Sequence, residues 1–188
     1  MEIEIRAKIE DREKVKQILV EKGMEIKYEE DQVDYYYKPK GKEKEPQGPG
    51  SAILRIRKTV NGNFLTYKAL TNQKGAWIEH DIQISDVGEM GNILDKVGYV
   101  NVLTIHKSRI AGTLGNKGIN IDLIKELGEY IECEIHSEDV ADAKAQILAL
   151  LKELEIPETN IEHKGYARIL FEKQGVKYID GDDEDESE

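Results

Sequence analysis

With 188 residues, 39% of them hydrophobic and 35% charged, the chain is long enough to bury a core within one domain. Its 38 acids against 27 bases leave a net charge of -11, which argues against nucleic acid as a partner, because polyanion binders carry a basic excess or stripe. The single cysteine, Cys133, excludes an internal disulfide and a cysteine-based metal cluster. Glu2 and Glu4 stand where the apolar core of a signal peptide would begin, and no apolar run approaches the roughly 20 residues that span a bilayer. A cytoplasmic location away from membranes is expected.

Glu2–Ile9 alternates as a strand, with Ile3, Ile5, Ala7 and Ile9 on one face and Glu2, Glu4, Arg6 and Lys8 on the other. Asp11 is placed to cap a helix whose apolar positions are Val15, Ile18 and Leu19, and Gly23 ends it. A strand follows over Ile26–Lys38, with Gln32, Asp34, Tyr36 and Lys38 on one side. Pro39–Gly50, with its prolines and glycines, reads as a mobile connection, a lid or a plain surface loop. Asn61-Gly62 marks a hairpin between Ala52–Val60 and Asn63–Leu70.

Ala76–Ile84 is a further strand, on which Trp77 shares the parity of Glu79 and reads as a packing or base-stacking side chain. Ser85–Val97 reads as a short helix closed by Gly98. Strands are expected over Val100–Ala111, Gly118–Ile124 and Glu129–His136. Ser137 is the expected cap of an amphipathic helix reaching Leu154, and a last helix covers Gly165–Lys173. Seven of the last nine residues are acidic and cannot bury apolar area, so 176–188 is read as a disordered tail. The fold class expected for residues 1–175 is α+β: eight antiparallel strands closing into a barrel, with the helices packed outside.

The polar strand faces balance. Glu2, Glu4, Glu79, Asp81, Asp122, Glu132 and Glu134 stand against Arg6, Lys8, Arg55, Arg57, Lys68, Lys107 and Arg109. Amphipathic helices need an apolar surface, and the isoleucine-rich face, with Ile78 and Ile82 included, is the continuous one available. Covering it from outside leaves the charges facing inward, a costly arrangement unless a charged ligand completes it. Carboxylates supply the oxygen ligands that Mg²⁺ or Mn²⁺ prefer, while arginine forks and lysines suit phosphate oxygens. Both together suit a metal-bound polyphosphate.

Glu2-x-Glu4-x-Arg6-x-Lys8 resembles the E-x-E-x-K signature of the CYTH proteins, or triphosphate tunnel metalloenzymes. Gln32-x-Asp34-x-Tyr36, Leu54-Arg55-Ile56-Arg57, Thr66-Tyr67-Lys68, Lys107-Ser108-Arg109, Ile121-Asp122, Leu127-Gly128, Glu132-x-Glu134 and Tyr166 follow in that family's order. The resemblance implies an eight-stranded tunnel that binds a triphosphate with divalent metal. It looks most like the class IV adenylyl cyclase branch, which turns ATP into cyclic AMP and pyrophosphate. The alternatives are a triphosphatase acting on thiamine, inorganic or nucleoside triphosphate, and a non-catalytic nucleotide-binding module.

On this reading Glu132 and Glu134, with Glu2 or Glu4, hold Mg²⁺ or Mn²⁺, and Glu79 and Asp81 offer a further site. Arg6, Lys8, Arg55, Arg57, Lys68, Lys107 and Arg109 bind phosphate, with Lys68 and Lys8 neutralising charge on the transferring or leaving group. Asp122 binds a second metal, orients the attacking oxygen, or pairs structurally with an arginine. Repulsion among the carboxylates predicts that Glu132→Gln leaves the fold intact or more stable. The partner is a nucleotide or polyphosphate, and the protein is a monomer or homodimer.

Overall fold

The structure is a computed structural model and describes residues 2–70 and 77–179. The side chains of Glu2 and Trp77, and the acidic stretch from Asp180 onward, lie outside the described residues, so the expectations placed on them stand as they were. Among the described residues, nine antiparallel strands and four α-helices make an α+β fold. The strands are β1 (Glu2–Ile9), β2 (Glu25–Pro39), β3 (Ala52–Lys58), β4 (Asn63–Leu70), β5 (Trp77–Ile84), β6 (Tyr99–Leu114), β7 (Lys117–Ile124), β8 (Gly128–His136) and β9 (Ile161–Glu162). The helices are α1 (Arg12–Glu21), α2 (Val87–Lys96), α3 (Val140–Glu153) and α4 (Tyr166–Lys173). The hydrogen-bonded order is β5-β4-β3-β2-β6-β7-β8-β1-β9. That order has two ends among the described residues, so the ladder does not close on itself as expected. The ninth strand is two residues long, too short to leave an alternating pattern in the sequence.

The chain forms two compact units, residues 1–32 with 106–165 and residues 33–105 with 166–188, with β2 and β6 contributing to each. In the first unit, Ile3, Ala7 and Ile9 of β1, Ile119 and Ile121 of β7, and Ile131, Cys133 and Ile135 of β8 share one buried face. Val15 and Leu19 of α1 and Ala143, Ile147, Leu150, Leu151 and Leu154 of α3 pack against it. The helices therefore take the apolar side, as the pattern requires. Asp11 caps α1 by accepting from Lys14 N, and Asp139 caps α3 by accepting from Asp142 N. Ser137 is not the α3 cap: its Oγ accepts from Asp139 N and shapes the turn just before the helix.

In the second unit α2, capped by Asp86, packs against β3, and Ile56 and Leu94 are buried there. It does not cover β5. Ile78 and Ile82 are 49% and 57% exposed, which corrects their expected place beneath a helix. α4 also departs from the outside-helix scheme. Its Phe171 meets the Tyr36 ring edge-on at 6.2 Å and lies 4.8 Å from Lys38 Nζ, on the polar face of β2. The Pro39–Gly50 segment is irregular, as expected, but tethered. Lys44 Nζ donates to Gln174 O, Gln47 N to Lys177 O at 2.8 Å and Ile179 N to Gln47 O at 2.7 Å.

Candidate functional site

In the first unit the register sets charge beside charge. β1 and β8 pair Glu4 with Glu134 and Arg6 with Glu132, β7 and β8 pair Asn120 with Glu132, and β6 and β7 pair Arg109 with Asp122. Side chains of paired residues project from the same face. Arg6 Nε donates to Glu132 Oε2 at 2.7 Å, and Asn120 Nδ2 donates to Oε1 at 3.0 Å. Arg109 forks Asp122 through Nε and Nη2, both at 2.7 Å, and its Nη2 reaches Glu132 Oε1 at 3.4 Å. Arg6 also pairs with Glu4.

Glu132 is only 6% exposed. Burial pushes its carboxyl up, but Arg109, Arg6 and Lys107 together overcome that and leave it down at about 2. Asp122 is fully buried in its arginine fork, so of the three roles open to it the geometry gives the arginine partner. Lys107 is buried two residues before Arg109. Lys8 is exposed at the end of this row, opposite Tyr130.

The second unit repeats the device. Arg57 forks Asp34 with two bonds of 2.7 Å, and Asp34 is buried. Thus each basic pair, Arg55-x-Arg57 and Lys107-x-Arg109, has its second member clamped by an aspartate of a neighbouring strand. The first members differ. Arg55 Nη2 donates to Thr66 Oγ1 at 2.9 Å and lies 3.4 Å from Glu79, while Lys68 Nζ sits 2.9 Å from Glu79. Thr66 Oγ1 in turn donates a hydrogen bond to Asp81 Oδ1. Arg55 is 9% exposed, and its Nε is buried with no hydrogen-bond partner among the described residues. Tyr36 lies beside it, its hydroxyl pushed up to about 12 by burial and by Asp34, against the pull of Arg55 and Arg57.

The sequence assigns no role to Asp34, Thr66, Tyr36 or Asn120. All four fall on polar-face parity, but an asparagine or threonine in an alternating strand carries no charge pattern to announce it.

No three His, Cys, Asp or Glu side chains among the described residues already converge as a metal cage. The donor set nevertheless fits a hard divalent cation. Glu4 and Glu134 stand directly opposite each other, a like-charge pairing that Arg6 relieves in part through Glu4 and that a divalent cation would relieve further. Glu134 lies across Gly118, where an added Cβ would fall 2.6 Å from its Cγ and Oε1. A glycine there is the space into which the carboxylate folds.

Each unit thus carries an arginine forked by a buried aspartate on the polar face of its strands, and the first adds a pair of facing carboxylates, an arrangement shared with the tunnel fold. The chain belongs to the CYTH domain family, whose model matches residues 1–166. A curated relative from Methanocaldococcus jannaschii, named provisionally as an adenylate cyclase, is 29% identical over 90% of this chain and 98% of its own. A conserved Pyrococcus furiosus protein of no stated activity has the same fold, with a TM-score of 0.74 at 24% identity over 89% of this chain and 99% of its own. A Hippeastrum protein named as an adenylyl cyclase, for which a dominant triphosphatase activity is described, superposes with a TM-score of 0.68. It is 17% identical over 95% of this chain and 96% of its own.

Proposed function

We propose that this chain is a divalent-metal-dependent enzyme acting on a triphosphate, in the manner of the cyclase whose name its Methanocaldococcus relative bears. The observation that carries this reading is Arg55: a buried guanidinium whose Nε–H has no partner among the described residues is a donor left for an anion. Arg6, Arg57, Lys107 and Arg109 add cations on the same kind of strand face. Glu4, Glu132 and Glu134, with Glu2 preceding them, would hold Mg²⁺ or Mn²⁺. Bound there, the ion supplies charge neutralisation to the phosphate oxygens.

The residues then act by exchange. Arg6 and Arg109 now satisfy Glu132, and an incoming phosphate would give them an alternative anion, which would leave the Glu132 carboxylate available to hold a divalent ion. Glu132 is suited to this because it stays ionised throughout the neutral range. Asp34 and Asp122 hold Arg57 and Arg109 in fixed orientation, so their remaining N–H groups are aimed before substrate arrives. Lys68 and Lys8 would offset charge on the departing phosphates. In the cyclising reaction the ribose 3′-oxygen bonds to the α-phosphorus and its proton passes to solvent water. The bond from that phosphorus to the bridging oxygen breaks, and pyrophosphate leaves with the electron pair.

A second reading is hydrolysis, in which water attacks the terminal phosphorus, and the activity described for the Hippeastrum protein of this fold favours keeping it. The same cations serve both. Incubation with ATP, thiamine triphosphate and tripolyphosphate, each with Mg²⁺ or Mn²⁺, separates them. Cyclic AMP with pyrophosphate supports the cyclase, and orthophosphate supports the hydrolase. Tight binding without turnover under every metal would leave only a nucleotide-binding module.

A further inference from the structure

Gln32 lies on the buried face of β2 that also carries Asp34, Tyr36 and Lys38, and it is 4% exposed. Its Nε2 donates to Glu30 Oε1 at 2.6 Å. That bond fixes which way the amide faces, since a flipped amide would set its oxygen against a carboxylate oxygen. The other end, Oε1, is buried and has no hydrogen-bond partner among the described residues. A buried amide oxygen without a donor is destabilising, so the position calls for a group that brings a hydrogen.

We propose that Gln32 Oε1 accepts a hydrogen bond from a hydroxyl or amino group on the organic part of the substrate, and so selects a nucleoside triphosphate over an inorganic one. This rests on the triphosphate reading above. The chemistry excludes the phosphates themselves: ionised phosphate oxygens only accept, and two acceptors repel. It also excludes tripolyphosphate as a ligand that could satisfy the site, because that ion has neither hydroxyl nor amine. Nearby strand-face acids add no donor, since the Asp34 carboxylate is taken by Arg57 and Glu30 already accepts from the Gln32 amide itself. A ribose hydroxyl and an exocyclic base amine share the required chemistry.

The experiment measures Kd in Ca²⁺ and kcat/KM in Mn²⁺ for ATP, 2′-deoxy-ATP, 3′-deoxy-ATP, inosine triphosphate and tripolyphosphate. On the wild-type protein one of the three analogues should bind about 10- to 100-fold more weakly than ATP, which identifies the donor as a sugar hydroxyl or the base amine. Gln32→Met, similar in length but without the acceptor, should erase that preference and leave tripolyphosphate affinity within about twofold. The proposal is overturned if ATP and all three analogues bind the wild type alike, or if Gln32→Met leaves the ATP-to-tripolyphosphate ratio where it was, as it would if a water completed the amide. If neither ATP nor tripolyphosphate binds at all, the triphosphate reading fails first and the Gln32 assignment goes with it.

Discussion

Glu132 accepts from Arg6, Asn120 and Arg109 at once, and its surroundings change what one substitution should do. Carboxylate repulsion alone predicts a neutral or stabilising Glu132→Gln. With two half-buried guanidiniums leaning on that carboxylate, removing its charge should instead destabilise the protein by about 1–3 kcal/mol, because Arg6 and Arg109 each lose one of their carboxylate partners. Urea unfolding checks this, and a wild-type midpoint would show that the arginines are held elsewhere. Gly118 makes the opposite kind of test. Gly118→Ala puts a methyl where the Glu134 carboxylate now lies, and the long side chain can swing away at little cost to the fold. The apparent Mn²⁺ affinity should fall about tenfold or more, with the melting temperature nearly unchanged. An unaltered metal dependence would remove Glu134 from the metal set.

At the scale of elements, the strands are joined by turns that the sequence announces and by approaches that it does not. Asn61-Gly62 and the Asp11 cap are local chemistry, and the hairpin and α1 form where that chemistry predicts. Gly112 in β6 is different. Its missing side chain admits the backbone of Glu25, whose carbonyl oxygen would lie 2.4 Å from an added Cβ, with Met24 Cε at 2.6 Å. Backbone cannot swing aside as a glutamate can, so Gly112→Ala should cost about 1–3 kcal/mol through overpacking. The measurable result is a lowered urea midpoint with an unchanged slope. Lys38 belongs to the same class of surprise. It is 2% exposed beneath Phe171, and burial lowers its pKa, yet the strand pattern shows only one more polar residue in alternation.

For the whole molecule, acid is the informative perturbation. Glu132 is ionised down to about 2 when folded, whereas its ordinary value is 4.5, so folding favours its charged form. The sign follows: the contribution is complete above pH 4.5 and is lost as pH falls from 4.5 toward 2, where the unfolded chain takes up the proton first. Stability measured by denaturant at stepped pH should therefore decline across that window. In Glu132→Gln the decline should be shallower. An equal slope in both proteins would assign acid unfolding to other carboxylates.

The sequence by itself determined the two-faced strands, the balance of seven acids and seven bases, and the family, because alternation and charge are written residue by residue. It also pointed to Arg55, Arg57, Lys107, Arg109 and Glu132 as candidate site residues. Only the tertiary structure decided which aspartate holds which arginine, that α4 lies on the polar face of β2, that Ile78 and Ile82 are exposed, and that Gln32 and Arg55 each keep a buried polar atom unmatched among the described residues. The physical reason is register. A strand's pattern fixes the face on which a side chain stands, but its partner depends on how far each neighbouring strand has slid, and no single segment records that.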